Sequence, residues 1–486
     1  MAWEVVIGLE CHIQVRSASK MFCDCPAEFG APPNANVCPV CLGLPGALPR
    51  ANRAGLDAAL RLGLALGSEI RERSVFARKH YFYPDMPKNY QITQYDLPIC
   101  EGGALPVVDA GGARRSFGLT RIHIEEDTGK SFHPERVGDR RISRVDFNRA
   151  GVPLLELVTQ PVLESPEDCG AFLTGLRRLV RWLGISDGDM EKGQLRCDAN
   201  VSLRPAGSSQ LGTKTEIKNL NSIKGVEKGL AAEIARQSRA LEAGEPIVQA
   251  TLLYDADHDK LAIMRTKEHA HDYRYFPDPD LPEVEVDRAW RVDARAALPE
   301  LPWEREARLV AAGLPAYDAA VLCETRALSD YFEALAAGVN PKLASNWVMT
   351  EMLRALKVRG ETVEAWATRI PAARFGDLLG RVAAGELTGP NAKEVFEAMA
   401  ETGEDPAAIV AARGFKVVAA ADDLLPVIRA VLDENAGPVA QVLAGKTSTF
   451  GFLVGQVMKK TGGQAAPQVV QSLLRAELDA RAKTAG

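Results

Sequence analysis

The chain has 486 residues and a formal net charge of −6, a length that predicts two to four domains. Hydrophobic residues make up 46% and charged residues 25% of the sequence, as in ordinary globular proteins, and the acidic balance argues against a general polyanion binder. The first residues lack a basic segment followed by an apolar one, and no run approaches the roughly 20 apolar residues of a membrane span. We therefore expect a cytoplasmic protein, with neither a membrane nor DNA as a partner.

Short segments in which apolar and polar residues alternate with a period of two dominate the N-terminal part. In the first, Glu10 and His12 alternate with the apolar residues Leu9, Cys11 and Ile13. Because successive side chains of a strand point to opposite faces, this segment predicts a half-buried strand with Glu10 and His12 on its open face. Four later segments repeat the pattern, and their polar residues include Arg121, His123 and Glu125; Asp146 and Asn148; Arg196, Asp198, Asn200 and Arg204; and Lys214, Glu216 and Lys218.

Carboxylates, imidazole and paired cations on one sheet face would suit a metal ion and a polyanion. Glu10, His12 and Glu125 would offer Mg²⁺ two carboxylates and an imidazole, with waters or phosphate oxygens as the other ligands. The basic residues would neutralise phosphate charge, on which phosphoryl transfer depends. A single strand Glu or His is ordinarily a solvated residue, so this interpretation requires that the five segments meet on one face, which the sequence leaves open.

A cysteine cluster follows the first strand segment. Four of the nine cysteines fall within nineteen residues, as two close pairs separated by twelve residues: Cys23, Cys25, Cys38 and Cys41. This spacing is typical of a structural zinc knuckle with four thiolate ligands, and the alternative is four unrelated free thiols. No exchangeable ligand is evident, so we expect the metal to hold a loop together. Cys11 and Cys197 fall on apolar strand faces and are predicted to be core residues.

Helical patterns first interrupt the strands and then replace them. One is predicted from Pro166 to Trp182 with Ser165 as N-cap, and another follows Ser222 to about Ala243. Strands and helices that do not strictly alternate predict an α+β domain around an antiparallel sheet. Prolines between residues 277 and 302 mark a boundary, beyond which the chain is rich in Ala and Leu and mostly helical. We predict an N-terminal domain over 1–292, containing the knuckle at 23–41, a helical domain over 293–405 and a small helical tail over 406–486.

Nine motifs along almost the whole chain resemble one family. The chain resembles the B subunit of the tRNA-dependent amidotransferases, of the bacterial and organellar type that acts on aspartyl- and glutamyl-tRNA(Asn/Gln). The motifs are Gly8–His12, His80–Asp85, Arg121–Asp127, Leu195–Ser202, Glu216–Asn221, Asp272–Pro277, Leu314–Asp318, Ser345–Trp347 and Gly451–Met458. One departure is Cys11, where the family usually has Val, at a position predicted to face the core.

The resemblance implies both a fold and a reaction. The N-terminal domain would be an antiparallel-sheet cradle similar to the catalytic fold of glutamine synthetase and the guanidino kinases, followed by the helical domain and a tail that binds tRNA. The enzyme would be an ATP-dependent amidotransferase that phosphorylates the side-chain carboxylate of Glu-tRNA(Gln) or Asp-tRNA(Asn) with ATP and Mg²⁺. Ammonia from glutamine would then displace phosphate. Implied partners are the glutaminase A subunit and a small C subunit in a heterotrimer, the tRNAs and a non-discriminating aminoacyl-tRNA synthetase.

The resemblance also implies roles for particular residues. Catalytic roles fall on Glu10, His12, Glu125 and Lys88, and binding of ATP or of the aminoacyl end on Arg196, Asp198, Asn200, Lys214 and Lys218. Mg²⁺ ligands would be Glu10, His12 and Glu125, with Glu156 and Glu216 as further candidates. Some family members have the four zinc cysteines and others lack them, which is consistent with a structural Zn²⁺.

Two other interpretations remain open. A non-catalytic RNA-binding module with a zinc-stabilised fold would account for the cysteines and the mildly basic tail but not for the carboxylate-rich sheet face. The related archaeal type of subunit runs the same chemistry on Glu-tRNA(Gln) alone and carries an added domain before its helical region. Here the strand-rich part passes to the helices within the proline-marked segment, which argues against that type. The sequence does not decide which misacylated tRNA is used.

Overall fold

The computed structural model describes residues 2–109, 112–132, 135–137, 140–255, 258, 260–266, 273–415, 421–443, 446, 448–462, 465 and 467–485. The chain divides into two compact units, Met1–Glu304 and Arg305–Gly486. The finer division at 292/293 and 405/406 stays a prediction. Asp272, the first residue of one motif, lies outside the described residues. None of the described helices is long and apolar enough to cross a membrane.

The first unit is built around strands and also contains four helices. The described strands are β1 (Trp3–Gln14), β2 (Glu69–Ile70), β3 (Arg73–Ser74), β4 (Ala77–His80), β5 (Tyr90–Thr93), β6 (Cys100–Glu101), β7 (Ala104–Val108), β8 (Arg114–Glu126), β9 (Lys130–Ser131), β10 (Glu135–Val137), β11 (Arg140–Ile142), β12 (Val145–Asp146), β13 (Pro153–Thr159), β14 (Leu195–Pro205), β15 (Thr215–Leu220), β16 (Ala250–Asp255), β17 (Lys260–Thr266), β18 (Phe276–Pro277) and β19 (Val284–Glu285). The helices are α1 (Arg53–Ala65), α2 (Pro166–Trp182), α3 (Ile223–Glu242) and α4 (Arg288–Ala296).

Ten of these strands form one sheet with β1 near its centre. The order is β17-β16-β15-β14-β1-β13-β8-β6-β2, and β7 also pairs with β8. Strands β15 and β16 run parallel, and the other described pairs of this sheet are antiparallel. The prediction of a mixed α+β protein with an N-terminal antiparallel sheet is therefore confirmed, apart from one parallel pair. A separate three-stranded sheet has the order β18-β4-β5.

One face of the large sheet is apolar and covered by helices. Ile7, Leu9, Cys11 and Ile13 of β1 are each no more than 1% exposed, and they belong to one core cluster with apolar residues of α1, α2 and α3. The core position predicted for Cys11 is confirmed. Burying this face commits every alternate residue of β1 to the opposite face, so the core itself fixes where the polar residues point.

The two predicted helices of this unit are confirmed, as is the N-cap predicted at Ser165, and the structure adds a second cap at Ser222. Helix α2 begins after Ser165, whose Oγ accepts a hydrogen bond of 3.1 Å from the backbone N–H of Asp168. Helix α3 begins after Ser222, whose Oγ accepts one of 3.0 Å from the N–H of Gly225. Each cap satisfies a backbone donor that the first helical turn leaves unpaired.

The polar pair Asp146 and Asn148 does not lie on the face of the large sheet, and this prediction is wrong. Strand β12 covers only Val145–Asp146 and pairs with β9 in a separate two-stranded sheet. Asp146 Oδ1 accepts a hydrogen bond of 2.9 Å from the backbone N–H of Asn148. Such local side-chain bonds to the backbone compete with strand pairing, so the alternating pattern here reflects a turn.

The second unit is helical. Its helices, the first of which begins just before the boundary between the units, are α5 (Pro302–Ala311), α6 (Ala316–Leu322), α7 (Arg326–Ala336), α8 (Pro341–Trp347), α9 (Leu353–Arg359), α10 (Val363–Arg369), α11 (Ala372–Ala383), α12 (Gly389–Thr402), α13 (Pro406–Arg413), α14 (Ala421–Glu434), α15 (Ala436–Leu443), α16 (Ser448–Lys460) and α17 (Pro467–Ala485). A π-helical turn over Val348–Met352 joins α8 to α9. The last four helices share a core cluster of their own, whose buried members fall between Leu424 and Leu478.

Candidate active site on the polar sheet face

The strand register brings polar residues from several strands to one face of the large sheet. In an antiparallel pair, residues directly opposite each other point to the same side. His12 of β1 stands opposite Glu156 of β13 on one side and Arg196 of β14 on the other. Glu156 in turn stands opposite His123 of β8. Two further opposed pairs on this face are Glu10 with Asp198 and Asn200 with Glu216.

Two of these side chains, His12 and Glu156, form a compact group of ligand-type atoms with Glu125, which lies two residues after His123 on β8. One nitrogen of His12 and one oxygen each of Glu125 and Glu156 all lie within 4.8 Å of one another. His12 Nε2 and His123 Nε2 are each 3.5 Å from the same atom, Glu156 Oε2. Both carboxylates are buried and lie close enough to repel each other. Rigid strands that hold one imidazole beside two carboxylates provide a donor set that fits a divalent cation.

The electrostatics keep the two carboxylates ionised. Burial by itself raises the pKa of a carboxyl group, but the Lys79 ammonium and then His123 lower the pKa of Glu125 below its usual value. Burial also raises the pKa of Glu156, but His123 and His12 lower it below its usual value. For His12, burial lowers the pKa and the contact with Glu156 raises it, with a net rise. Deprotonated carboxylates are the form that a metal requires.

Glu125 is held by residues that sequence reasoning missed. Lys79 Nζ of β4 lies 4.0 Å from Glu125 Oε1. From β5, the hydroxyl of Thr93 donates to Glu125 Oε1 at 2.7 Å, and the amide of Gln91 donates to Oε2 at 3.0 Å. These strands belong to the separate three-stranded sheet, so no alternation within the large sheet could reveal them. The one available signal was that Lys79 directly precedes the motif His80–Asp85.

Glu10 lies on the same face but outside the group of three. Its Oε1 accepts a hydrogen bond of 3.4 Å from the side-chain amide of Asn200. Burial, followed by the charges of Glu156 and Asp198, raises the pKa of Glu10. Several carboxylates thus face each other across β1, β13 and β14 with limited access to water, an arrangement that a bound cation would stabilise.

Lys218 and Glu216 form a charged group on β15. Lys218 Nζ lies 2.5 Å from Asp198 Oδ2 and 3.2 Å from Glu216 Oε1, and Thr251 of β16 donates to Glu216 Oε2 at 2.8 Å. Burial lowers the pKa of Lys218, but Asp198 and then Glu216 raise it above its usual value, so its positive charge persists. Lys214 is exposed and directly precedes β15.

Arg196 is oriented by a buried carboxylate that also contacts a second arginine. Arg196 Nη2 donates to Asp127 Oδ1 at 2.9 Å, and Arg149 Nε lies 3.6 Å from Asp127 Oδ2. Arg149 donates in addition to the carbonyls of Thr128 and Gly129, at 2.9 and 2.8 Å. Asp127 is 1% exposed, so a buried carboxylate orients Arg196 by a hydrogen bond, whereas Arg149 is held mainly by the two backbone carbonyls.

Lys88 is not placed in the group of three. Its ammonium forms a hydrogen-bonded ion pair with Glu126, and both side chains are buried. Glu126 Oε1 also accepts a hydrogen bond of 2.9 Å from the backbone N–H of Ile92. Because successive residues of β8 point to opposite sides, Glu126 does not share the face of Glu125. The catalytic role of Lys88 stays a prediction. The buried ion pair with Glu126 also gives Lys88 a structural role.

A cleft of about 630 Å³ opens beside the polar face. Among the residues that line it are Gln14, Arg196 and Asp198 of the large sheet. Its other walls include residues 27–31, Lys130, the residues Asp146, Asn148 and Arg149, the loop 190–193 and residues 219–221. The volume is in the range of small-molecule sites, and four cations from four separate segments line it: Lys130, Arg149, Lys192 and Arg196.

The four knuckle cysteines meet as predicted from their spacing. One Sγ of each of Cys23, Cys25, Cys38 and Cys41 lies within 4.8 Å of the others, and all nine cysteines are free thiols. A hydrogen bond from Cys23 lowers the pKa of Cys41, and the Lys20 ammonium lowers it further. Four converging thiolates suit Zn²⁺. The fully buried Lys20, 3.7 Å from Cys41 Sγ, would compensate the negative charge of such a site.

Comparison with known proteins identifies the class to which this fold and this site belong. The profile of the family described as GatB/GatE catalytic domain matches residues 5–292, and that described as GatB domain matches residues 330–478. The chain therefore belongs to this family, which confirms the resemblance carried by the motifs.

Curated relatives define the family more narrowly. A protein from Prosthecochloris aestuarii is 49% identical over 481 residues, which cover 99% of this chain and 98% of the relative. Proteins from Roseiflexus castenholzii and Carboxydothermus hydrogenoformans are 48% and 47% identical, with 98% of this chain and 99% of each relative covered. The name of all three is that of the B subunit of an aspartyl/glutamyl-tRNA(Asn/Gln) amidotransferase.

Proposed function

We propose that this chain is the B subunit of a glutamine-dependent tRNA amidotransferase. It binds Glu-tRNA(Gln), Asp-tRNA(Asn) or both, phosphorylates the side-chain carboxylate with ATP, and converts the product to the amide. The observation that carries the proposal is the group formed by His12, Glu125 and Glu156, which lies on a rigid sheet face with cations on either side. The reaction is inferred from family membership, and the group of three residues is where we propose that it takes place.

The three-residue group would hold Mg²⁺, with Glu10 and Glu216 as neighbouring carboxylates. A bound Mg²⁺ supplies neutralisation of the charge on the transferring phosphoryl group. The residues fit because two buried, ionised carboxylates and one imidazole converge. Lys79 keeps Glu125 anionic and adds a positive charge beside the group.

The basic residues of the face would orient the two substrates. Arg196, fixed by Asp127, projects beside the 630 Å³ cleft, where it would contact phosphate oxygens of ATP. Lys218, with Asp198 and Asn200, would lie at the aminoacyl end, and the exposed Lys214 would contact the approaching phosphates. Charged groups already fixed in place cost little reorganisation during the reaction.

The chemistry explains why ATP is needed. A free carboxylate is a poor electrophile, so one of its oxygens first takes the γ-phosphoryl group and ADP leaves. Ammonia then attacks the carbonyl carbon of the resulting acyl phosphate, the C–O bond to phosphate breaks, and inorganic phosphate departs with that oxygen. The amide nitrogen loses a proton to solvent or to a carboxylate of the face. This sequence balances with ATP and ammonia as the only co-reactants.

Partner proteins would supply the ammonia and part of the surface that binds the tRNA. The sequence shows no Ser-rich amidase stretch, so a glutaminase A subunit would release ammonia from glutamine, and a small C subunit would complete a heterotrimer. The tail from residue 406 would bind tRNA, delivered by a non-discriminating aminoacyl-tRNA synthetase.

Four thiolates held near a buried lysine support a structural Zn²⁺, and nine free cysteines accord with the reducing cytoplasm.

The proposed likeness of the first unit to the catalytic fold of glutamine synthetase and the guanidino kinases rests on its layout. A large, mostly antiparallel sheet has helices on its apolar face and charged residues on its open face. The reaction proposed for this face also transfers a phosphoryl group from ATP, as the resemblance implies.

The decisive experiment is to assemble the heterotrimer and supply ATP, glutamine and each misacylated tRNA in turn. We expect tRNA-stimulated ATP hydrolysis and formation of Gln-tRNA(Gln) or Asn-tRNA(Asn). A complex that binds charged tRNA but hydrolyses no ATP would instead support the RNA-binding module. Comparing the two tRNAs also decides the specificity that the sequence leaves open.

A further inference from the structure

The four-cysteine loop lies directly against one wall of the cleft. Asn34, between the two cysteine pairs, has a left-handed backbone with φ of 58°. Its side-chain amide donates to the carbonyl of Val145 at 3.1 Å, and its Oδ1 accepts from the N–H of Phe147 at 2.8 Å. Its own N–H donates to Asp146 Oδ1 at 2.9 Å. One residue of the cysteine loop thus makes three bonds to a segment of three residues.

Two further residues extend this contact. Asn36 donates its N–H to Asn148 Oδ1 at 2.8 Å, and Asn148 returns a bond of 2.7 Å from its amide to the carbonyl of Pro32. Lys20, fully buried, donates to the carbonyls of Asn36 and Phe147 at 2.6 and 3.2 Å. The same ammonium lies 3.7 Å from Cys41 Sγ. A single buried charge therefore contacts the cysteine site, its loop and the cleft wall.

The contacted segment, residues 145–149, ends in Arg149. Arg149 binds the backbone of Thr128 and Gly129 and approaches Asp127, which holds Arg196. Residues 146, 148 and 149, together with Arg196 and residues 27–31, line the cleft. Hydrogen bonds, together with one longer ion pair of 3.6 Å between Arg149 and Asp127, thus connect the cysteines to the guanidinium groups beside the polar face.

We propose that the four-cysteine loop, when it holds its metal, fixes the segment 145–149 and so sets the affinity of the cleft for ATP, with Lys20 and Asn34 as positioning residues. The inference rests on the proposed function, since that function makes ATP the ligand. ATP is chosen because the cleft volume matches a small-molecule site and its lining offers four cations to the phosphates, beside four carboxylates: Lys130, Arg149, Lys192 and Arg196, with Glu28, Asp146, Glu191 and Asp198. Residues 145–149 are only half-buried, so the bonds from the cysteine loop contribute much of what holds them in position.

The test uses Asn34→Gly in the assembled heterotrimer. Glycine accepts the positive φ without strain and removes both side-chain bonds, whereas the cysteines are untouched. We expect a normal zinc content, faster amide hydrogen exchange at residues 145–149, and a rise of about three- to tenfold in KM for ATP with kcat nearly unchanged. Removal of zinc with a chelator should raise the exchange rate further. Pro33→Ala is the matched control, because Pro33 is exposed in the same loop, and it should match the wild type in both measurements.

Each outcome decides the inference. Wild-type exchange and KM in both Asn34→Gly and the zinc-free complex would overturn it, as would a purified wild-type chain that contains no metal. Faster exchange with an unchanged KM for ATP, or a change in the KM for tRNA alone, would overturn the link to ATP. Failure of the proposed function is distinguishable, because the wild-type complex itself would then hydrolyse no ATP. Lys20→Met provides a second variant with the same expected direction.

Discussion

His12 and Glu156 stand directly opposite each other on β1 and β13, with Nε2 of the first 3.5 Å from Oε2 of the second. The pair is separated by a long stretch of sequence, and Glu125 joins it from a third strand. The cross-strand register alone places these groups together, and the packed apolar face behind them prevents a slip by one residue. The site is therefore as rigid as the core of the sheet.

We expect Glu125→Gln and Glu156→Gln to abolish amide formation, with a loss of at least about a hundredfold in kcat. Each change keeps the shape and removes an anionic ligand, so tRNA binding and the glutaminase of the partner should remain. Amidation can be followed by the conversion of misacylated tRNA. Glu164→Gln, an exposed carboxylate paired with Arg115, serves as the control. Full amidation by Glu125→Gln would remove this residue from the metal site.

Lys79→Met should impair phosphorylation of the aminoacyl carboxylate more than it impairs tRNA binding. The ammonium lies 4.0 Å from Glu125 Oε1 and, against the effect of burial, the charge of Glu125 raises the pKa of Lys79. Its removal leaves two buried carboxylates with less compensation. We expect a fall of about ten- to a hundredfold in kcat, partly restored by Lys79→Arg. Equal rates in Lys79→Met and the wild type would show that Lys79 plays no part in the reaction.

For β1, β8 and β14, the sequence was enough to predict which residues lie on the polar face, because strand alternation is a local property. Burial of Ile7, Leu9 and Cys11 is enough to send Glu10 and His12 to the other face. Glu156 shows the limit, since β13 is apolar on both sides of it and its role was implied only by the resemblance.

The groups that complete the site could not be predicted from local patterns. Lys79, Gln91 and Thr93 reach Glu125 from a second small sheet, and this depends on how two sheets pack. Asp146 lies in a short strand of a separate two-stranded sheet and Asn148 lies in the bend after it, where its side chain bonds to the cysteine loop. The π-helical turn at Val348–Met352 is likewise invisible to a helical periodicity, because it changes the hydrogen bonding by one residue without breaking the helix.

Lys88→Met tests whether this residue is catalytic or structural. Breaking its buried ion pair with Glu126 should lower stability by about 3–5 kcal/mol, visible as a lower unfolding temperature of the first unit. The double variant with Glu126→Gln should recover part of the loss, since it removes the unpaired charge yet keeps an acceptor for the N–H of Ile92. If Lys88→Met unfolds like the wild type but no longer phosphorylates the substrate, the catalytic prediction is supported instead.

Asp318 gives a prediction about pH in the second unit. Burial raises the pKa of this carboxyl group, but hydrogen bonds from Lys342 at 2.6 Å and from Ser345 lower it below its ordinary value of 3.8. A depressed folded-state pKa contributes stability above the unfolded value, and this contribution is lost as the pH falls through the folded value. Asp318→Asn should therefore destabilise α6 and α8 by about 1.5–3 kcal/mol at neutral pH. The difference in stability between variant and wild type should become smaller below pH 3.8.

Hydrogen exchange of the amides in α6 and α8, compared between variant and wild type at each pH, measures this difference in stability in the full chain. Asp377→Asn is the control, because its ion pair with Arg381 is exposed and such pairs contribute little. A stability difference between variant and wild type that stays constant from neutral to acidic pH would mean that the charge of Asp318 does not contribute to stability.

Deletion of the residues after Pro406 should weaken tRNA affinity without stopping the chemistry. The last four helices bury their apolar residues in one cluster between Leu424 and Leu478, so their removal takes away a whole core. The deletion also removes most of α13, which packs on α11 and α12 and buries Ile409, so the fold of the shortened chain is checked first by its unfolding temperature. Residues 411–486 carry nine Lys or Arg against six Asp or Glu, an excess suited to phosphate contacts. We expect KM for tRNA to rise at least about tenfold, while amidation with supplied ammonia at saturating tRNA keeps its kcat. An unchanged KM would contradict a role of the tail in tRNA binding, whereas a lost kcat would mean that the tail also supports the site on the sheet.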